Sequence, residues 1–183
     1  MKAVPASRYL LFFTLSLGGL AADLASKHWV FGWLGMPRYN GDAWWLVKGA
    51  IGLQTSLNEG ALFGLGQGWV PLFATLSVLA GLFILWLLFI TGAARDGWLT
   101  GALGCVAAGI FGNLYDRLGL PGLRWNYSGP LHRAGDPVYA VRDWILVRFG
   151  TDLHHWNWPN FNIADSLLVC GAILLVWHAF RNK

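Results

Sequence analysis

Charge is scarce in this sequence: only 12% of its 183 residues are Asp, Glu, Lys or Arg, against 56% hydrophobic residues, and the mean hydropathy is +0.48. A soluble globular domain fits that balance poorly, whereas a chain immersed in lipid fits it well. Cysteine is limited to Cys105 and Cys170, both inside apolar stretches, so the pair reads as small packing residues and not as a disulfide or metal site. The His-Glu-x-x-His pattern of zinc proteases is absent, and the adjacent His154 and His155 would send their rings apart. Ser128, in Asn126-Tyr127-Ser128-Gly129, lacks the preceding glycine and the activating base of a serine nucleophile. No phosphate-binding loop, internal repeat or low-complexity tract is present, and Leu103-Gly104-Cys105 resembles a lipid-attachment box only superficially, being mid-chain. No cofactor or metal is expected. The net charge of +4 is ordinary flanking charge for membrane spans, with no nucleic-acid partner implied.

What is present is apolar length. Four segments are long enough, or nearly so, for the roughly 20 residues that a bilayer core demands: about 9–34, 69–92, 98–115 and 163–180. The first is clean only as far as Ala22 and must take in Asp23 and Lys27 to reach Leu34. A cleaved secretory signal peptide is its rival reading, since Lys2 and Arg8 precede an apolar run ending in small residues. The helical pattern nevertheless continues through Trp29, and Asp23 and Lys27 stand at the favourable acid-before-base spacing of four. Gly104, Ala108 and Gly112 recur on one face of the third span, where small residues permit close helix packing.

Four crossings place the end of span one, the start of span two, the end of span three and the start of span four on one side. Those places hold Asp23 and Lys27; Asn58, Glu59 and Gly60; Asn113, Asp116 and Arg117; Asn162 and Asp165. Polar residues therefore converge on one membrane face. Lys2, Arg8, Arg95, Arg181 and Lys183 crowd the short segments opposite, which leans toward both termini being cytoplasmic, although longer loops on the polar side also carry arginines. Trp29, Trp33, Trp69, Trp98, Trp156, Trp158 and Trp177 fall near span ends, as an interfacial belt would.

The resulting expectation is an all-α membrane protein of four transmembrane helices, one integral membrane domain over residues 1–183, with a small extramembrane β-element and an interfacial loop or helix on the active-site side. The extramembrane segments are 35–68 and 118–159. In the first, Trp44–Val47 and Ile51–Leu57 flank Lys48-Gly49-Ala50 as a short hairpin or small sheet. The second shows no sustained period and is expected to be irregular, with one short helix around Val138 to Phe149.

Chemistry must then rest on carboxylates. Asp165 stands in the first turn of the last span, where an ionisable group marks a functional site by default. Five motifs carry a resemblance: Asp23 to Lys27, Asn58 to Gly64, Gly112 to Arg117, Val141 to Ile145 and Trp158 to Ser166. Each is weak alone; in this order, with four spans, they resemble lipoprotein signal peptidase, the type II signal peptidase of bacteria.

That resemblance implies a membrane aspartyl protease of the bacterial inner membrane, with its active site toward the outer face. It would remove signal peptides from diacylglyceryl-modified prolipoproteins, cutting on the amino side of the lipidated cysteine, and a monomer is expected. The family's catalytic pair maps onto Asp143 and Asp165, and its supporting polar residues onto Asp23, Lys27, Asn58, Gly60, Asn113, Asp116, Arg117 and Asn162. Here Leu118 to Arg142 lengthens the usual interval before the first catalytic aspartate, which makes Asp136 a rival to Asp143. Two close carboxylates share a proton, so the pair holds an acid and a base at once. From spacing, Asn162 suits orienting the dyad, Arg117 tying down loops, Asp23 and Lys27 either function or an interhelical clamp, and Glu59 solvation. The insertion mixes Trp125, Tyr127 and Tyr139 with Arg124, Arg133 and Arg142, a composition suited to a headgroup surface where it would retain lipidated substrate; surface decoration is the alternative. A proton-coupled transporter remains the competing function, although such a protein would carry midplane polar groups and paired repeats, and a non-catalytic scaffold would leave the gathered carboxylates unexplained.

Overall fold

The computed structural model describes residues 3–37, 43–60, 65–150 and 154–181. Four helices are long and apolar enough to cross a membrane: α1 (Ala6–Leu34), α2 (Val70–Leu85, continued by a π-helical turn over Trp86–Ile90), α3 (Gly97–Arg117) and α4 (Ile163–Arg181). Helix α1 runs unbroken past Ala22 through Asp23 and Lys27, as expected of a span.

The expected all-α class needs correction. Strands β1 (Trp44–Val47), β2 (Ile51–Asn58), β3 (Val141–Gly150) and β4 (His155–Phe161) form one antiparallel sheet in that order. The hairpin of β1 and β2 stands where the sequence places it, with Gly49 at φ 73° in the turn. The helix expected around Val138 to Phe149 is strand β3 instead, and the segment 118–159 is correspondingly less irregular than its sequence suggests. Val141, Trp144, Ile145, Val147 and Phe149 are strand formers, and β2 offers β3 a partner over a long register, with Leu53 opposite Ile145 and Ser56 opposite Asp143. Pairing partners far away in sequence decided the structure, which local periodicity cannot reveal.

The chain forms two compact units. One gathers the residues up to Leu24, Thr75–Leu114 and those from Ile163 onward; its core is Phe12, Ile84, Leu88, Ala94, Leu103 and Ala107. Small residues organise it. A Cβ on Gly104 would lie 3.1 Å from Leu15, the Ala108 methyl fills the space over Gly19, and a Cβ on Gly112 would lie 2.5 Å from Asp23 Oδ2. Positions 15, 19 and 23 of α1 therefore meet 104, 108 and 112 of α3 in a ladder, a close approach that small side chains alone allow. On α3's other side Gly109 meets Ala164 and Leu168, while Gly171 of α4 sits against Ala102 and Val106. Helix α3 is the most buried of the four and α4 the least.

The second unit comprises Ala25–Ala74 and Tyr115–Asn162 and contains the whole sheet. The insertion within it is a hairpin arm: Val138 N–H donates to Leu123 O, Trp125 N–H to Asp136 O and Gly135 N–H to Trp125 O. Trp125, Val138 and Ala140 form a small core with Met36, Leu57 and Leu123. Trp125 is thus packed inward, at 4% exposed, and not spread on a headgroup surface.

Candidate active site

Each of the two units holds a group of the polar side chains singled out in the sequence. In the first unit, Asn113 near the end of α3 donates from Nδ2 to Asp165 Oδ1 at 2.8 Å, fixing a half-buried carboxylate in the first turn of α4. Asp23 is fully buried, and its Oδ1 accepts the backbone N–H of Ala164 at 2.9 Å. That N–H is one of the four that a helix start leaves without an intrahelical acceptor, and a carboxylate there also suits the positive end of the helix dipole. Asp23 therefore fixes the origin of the helix whose first turn carries Asp165.

Gly112 makes that capping possible, because a methyl group would intrude on both Asp23 Oδ2 and, at 3.0 Å, the Ala164 Cβ. Gly112→Ala is expected to destabilise the protein by about 1–3 kcal/mol, the range for forced overpacking, and to lower activity by displacing Asp23. Gly18→Ala, where nothing lies within 4 Å of the added carbon, should be neutral or stabilising through helix propensity. Thermal unfolding of both variants in one detergent checks this, and equal melting temperatures would contradict it.

In the second unit, Asp143 on β3 is buried at 3% exposed and accepts Asn162 Nδ2 on Oδ1 at 2.7 Å. The same amide lies 3.4 Å from the Arg142 carbonyl oxygen. Beside it is a buried ionic cluster around Asp116, which pairs with Lys27 Nζ at 2.9 Å and Arg142 Nε at 2.8 Å and also accepts the Arg142 backbone N–H at 3.1 Å. The three groups tie the ends of α1 and α3 to the strand position just before Asp143. Arg142 is absent from the sequence-based site, where it counts as a surface cation; the structure buries it to 4% exposed, because Asp116 supplies both an ion pair and a backbone acceptor. Its place next to Asp143 in the Val-Arg-Asp motif was the available signal.

The remaining residues are more peripheral. Asn58 Oδ1 accepts the Gly60 N–H at 2.9 Å and Gln67 Nε2 at 3.5 Å, shaping the turn after β2. Arg117 donates from Nη2 to Gly60 O at 3.0 Å and lies over the Phe73 ring at 5.5 Å, so it ties down that connection. The second half of the motif, Ala61 to Gly64, lies outside the described residues, as do Lys2, Arg38 and Lys183. Asp136 is exposed in the arm, where Oδ2 accepts the Arg133 N–H at 2.8 Å. Glu59 is not simply solvated: Oε2 stands 3.4 Å from His132 Nδ1, in a side chain 18% exposed. Among the described residues no group of three His, Cys, Asp or Glu is placed to hold a metal ion.

Four helices long and apolar enough to cross a membrane, with buried and half-buried carboxylates held by amides and cations near their ends, define the class as a multi-pass membrane protein. The family model for signal peptidase II matches residues 15–181. The lipoprotein signal peptidase of Rhodopirellula baltica is 49% identical over 181 residues, covering 97% of this chain and 75% of that protein. That of Rhodococcus jostii is 31% identical over 178 residues, covering 96% and 75%. Two solved bacterial membrane enzyme structures, obtained by the in meso method at 2.3 Å and 1.9 Å resolution, share the fold at TM-scores of 0.72 and 0.70 with 22% identity. They cover 99% and 100% of this chain, which spans 92% and 97% of theirs. The chain belongs to the signal peptidase II family and is a peptidase of that kind.

Proposed function

We propose that this protein removes signal peptides from diacylglyceryl-modified prolipoproteins, cutting before the lipidated cysteine, with Asp143 and Asp165 as an aspartyl dyad. The observation that carries the reading is the matched restraint of the two carboxylates: each has one oxygen held by an asparagine amide, Asn162 on Asp143 and Asn113 on Asp165. Asn162 immediately precedes α4, and Asp165 follows it by three residues.

Peptide hydrolysis by such a pair needs one ionised and one protonated carboxyl. The ionised member takes a proton from water as its oxygen attacks the scissile carbonyl carbon, while the protonated member donates to the carbonyl oxygen. Collapse of the tetrahedral intermediate returns a proton to the leaving nitrogen and frees the cysteine's α-amine. The asparagine amides fix the rotation of each carboxyl, so the acid and base are aimed before substrate arrives, a saving in reorganisation. Because the two groups share protons, the apparent pKa values belong to the pair.

One copy carries both carboxylates, consistent with a monomer acting as a single integral membrane domain. Arg8, Arg95 and Arg181 in the short segments favour cytoplasmic termini and an outward-facing site. The test is direct: purified protein is incubated with a lipidated prolipoprotein, and mass spectrometry reads whether the product begins at the lipidated cysteine. Because the mechanism uses carboxyl groups, strong chelators and serine- or thiol-directed reagents are expected to leave the rate unchanged. Inactivation by a chelator with recovery on adding zinc would overturn the dyad mechanism.

A further inference from the structure

The hairpin arm, the turn after β2 and the start of α2 line a cavity of about 640 Å³, within the size range of ligand pockets. It is lined by Arg117 at the end of α3, Val70 and Pro71 of α2, and Leu131, His132 and Asp136 of the arm, together with Glu59. The arm is held over it at two points. Leu131 stands 3.5 Å from where a Cβ on Gly68 would be, and His132 Nδ1 lies 3.4 Å from Glu59 Oε2. The His132 ring is stacked on Trp125, with centroids 3.4 Å apart and planes within 4°, and it leaves little room over Gly129. The tip is therefore a fixed wall and not a loose end.

The lining decides the occupant. Four groups able to carry charge near neutral pH, Glu59, Arg117, His132 and Asp136, share it with a larger apolar lining. An acyl chain seated there would cover the apolar lining but would strip water from all four without replacing their hydrogen bonds, an unfavourable exchange for those groups. An extended peptide instead brings backbone N–H and C=O groups and side chains of either sign. One lining residue leads toward the candidate chemistry: Arg117 follows Asp116, whose carboxylate holds Arg142, the neighbour of Asp143. If cleavage proceeds as proposed above, the signal helix and the acyl chains belong to the bilayer, and the segment after the cysteine is the substrate part left outside it.

We infer that this cavity is a subsite for the first residues of the mature segment, an extended polar peptide on the carboxyl side of the scissile bond. The inference rests on the cleavage reading and goes beyond it, because it assigns the arm a part in choosing among substrates.

The experiment uses the full-length protein in phospholipid vesicles and two lipidated substrates with the same signal peptide and the same lipid. One ends just after the cysteine; the other continues into the mature segment. Wild type is expected to cleave both, with the lower KM for the longer. Leu131→Trp, which places a larger side chain at the exposed tip, should raise KM for the long substrate about tenfold relative to the short one, equivalent to about 1.4 kcal/mol of binding. Asp136→Asn keeps an acceptor for the Arg133 N–H but removes a charge, and should shift selectivity between long substrates bearing Lys or Asp after the cysteine by about threefold. Equal losses on short and long substrates would make the arm merely structural, and dependence on acyl length instead of mature sequence would put lipid in the cavity; either result overturns the inference. Variants that change nothing while wild type cleaves would sink the subsite alone, whereas a wild type that cleaves neither substrate would remove the cleavage reading as well.

Discussion

Asp143→Asn and Asp165→Asn are each expected to lower turnover of a lipidated prolipoprotein by at least about a hundredfold, the lower range for loss of an acid–base group, with the fold retained. The substitution is nearly isosteric, so packing around Asp143 and the turn around Asp165 should survive. Asn162 and Asn113 donate to these side chains through Nδ2, and an amide in place of the carboxylate can still accept through its oxygen. What the variant loses is the ability to take up and release a proton. Single-turnover cleavage read beside a thermal melt separates the two effects, and near-normal cleavage in either variant would remove that residue from the dyad. Asp136→Asn addresses the rival aspartate: its expected effect is the selectivity change described for the arm, and a loss as deep as that of Asp143→Asn would move the catalytic role to it.

The largest effect on stability is expected from Asp116→Ala. Lys27 and Asp116 side chains are both 0% exposed, and Arg142 is 5% exposed at its side chain. Removing the carboxylate takes a partner from two buried cations and from the Arg142 backbone N–H together, and breaking one buried ion pair already costs about 3–5 kcal/mol. Against a typical stability of about 5–15 kcal/mol, such a protein would melt far earlier or fail to accumulate. Activity should fall with it, because Asp116 fixes the strand position next to Asp143. Asp116→Asn retains an acceptor for the N–H and should be the milder change. A loss below about 1 kcal/mol for the alanine variant, the scale of an exposed pair, would show that the cluster is not the buried network described.

The four helices were legible because a bilayer imposes a length and an apolar composition, and both can be read without any knowledge of packing. Crossing parity indicated which helix ends could meet, and within the separate units Lys27 pairs with Asp116, Asn113 with Asp165 and Asp23 with Ala164. The ladder at Gly104, Ala108 and Gly112 was visible because its period is that of a helix. Strand β3 was hidden: its ladder partners, Ile51 to Asn58, lie far upstream, and a half-buried strand carrying Arg142 and Asp143 lacks a clean alternation. Arg142 was misjudged for a related reason, since a cation in a loop-like stretch reads as exposed until a buried carboxylate is found beside it. The order within the hairpin arm comes from backbone pairing and from the stacking of His132 on Trp125, neither of which leaves a periodic mark.

Helix α4 turns most of its surface outward, with Val169, Ile173, Val176, Trp177 and Phe180 all more than half exposed, while Ala164 and Gly171 face protein. Toward lipid tails one bulky hydrocarbon side chain is nearly as good as another, so those outward positions can exchange Leu, Ile, Val and Phe freely with little effect on folding. The instructions for docking the helix are then confined to a few small side chains and the cap that Asp23 provides. Two chains can drift apart letter by letter along such a helix and still superimpose, which accounts physically for a shared architecture at 22% identity. Percent identity counted over lipid-facing surface therefore understates kinship, and the small inward residues are the better ruler.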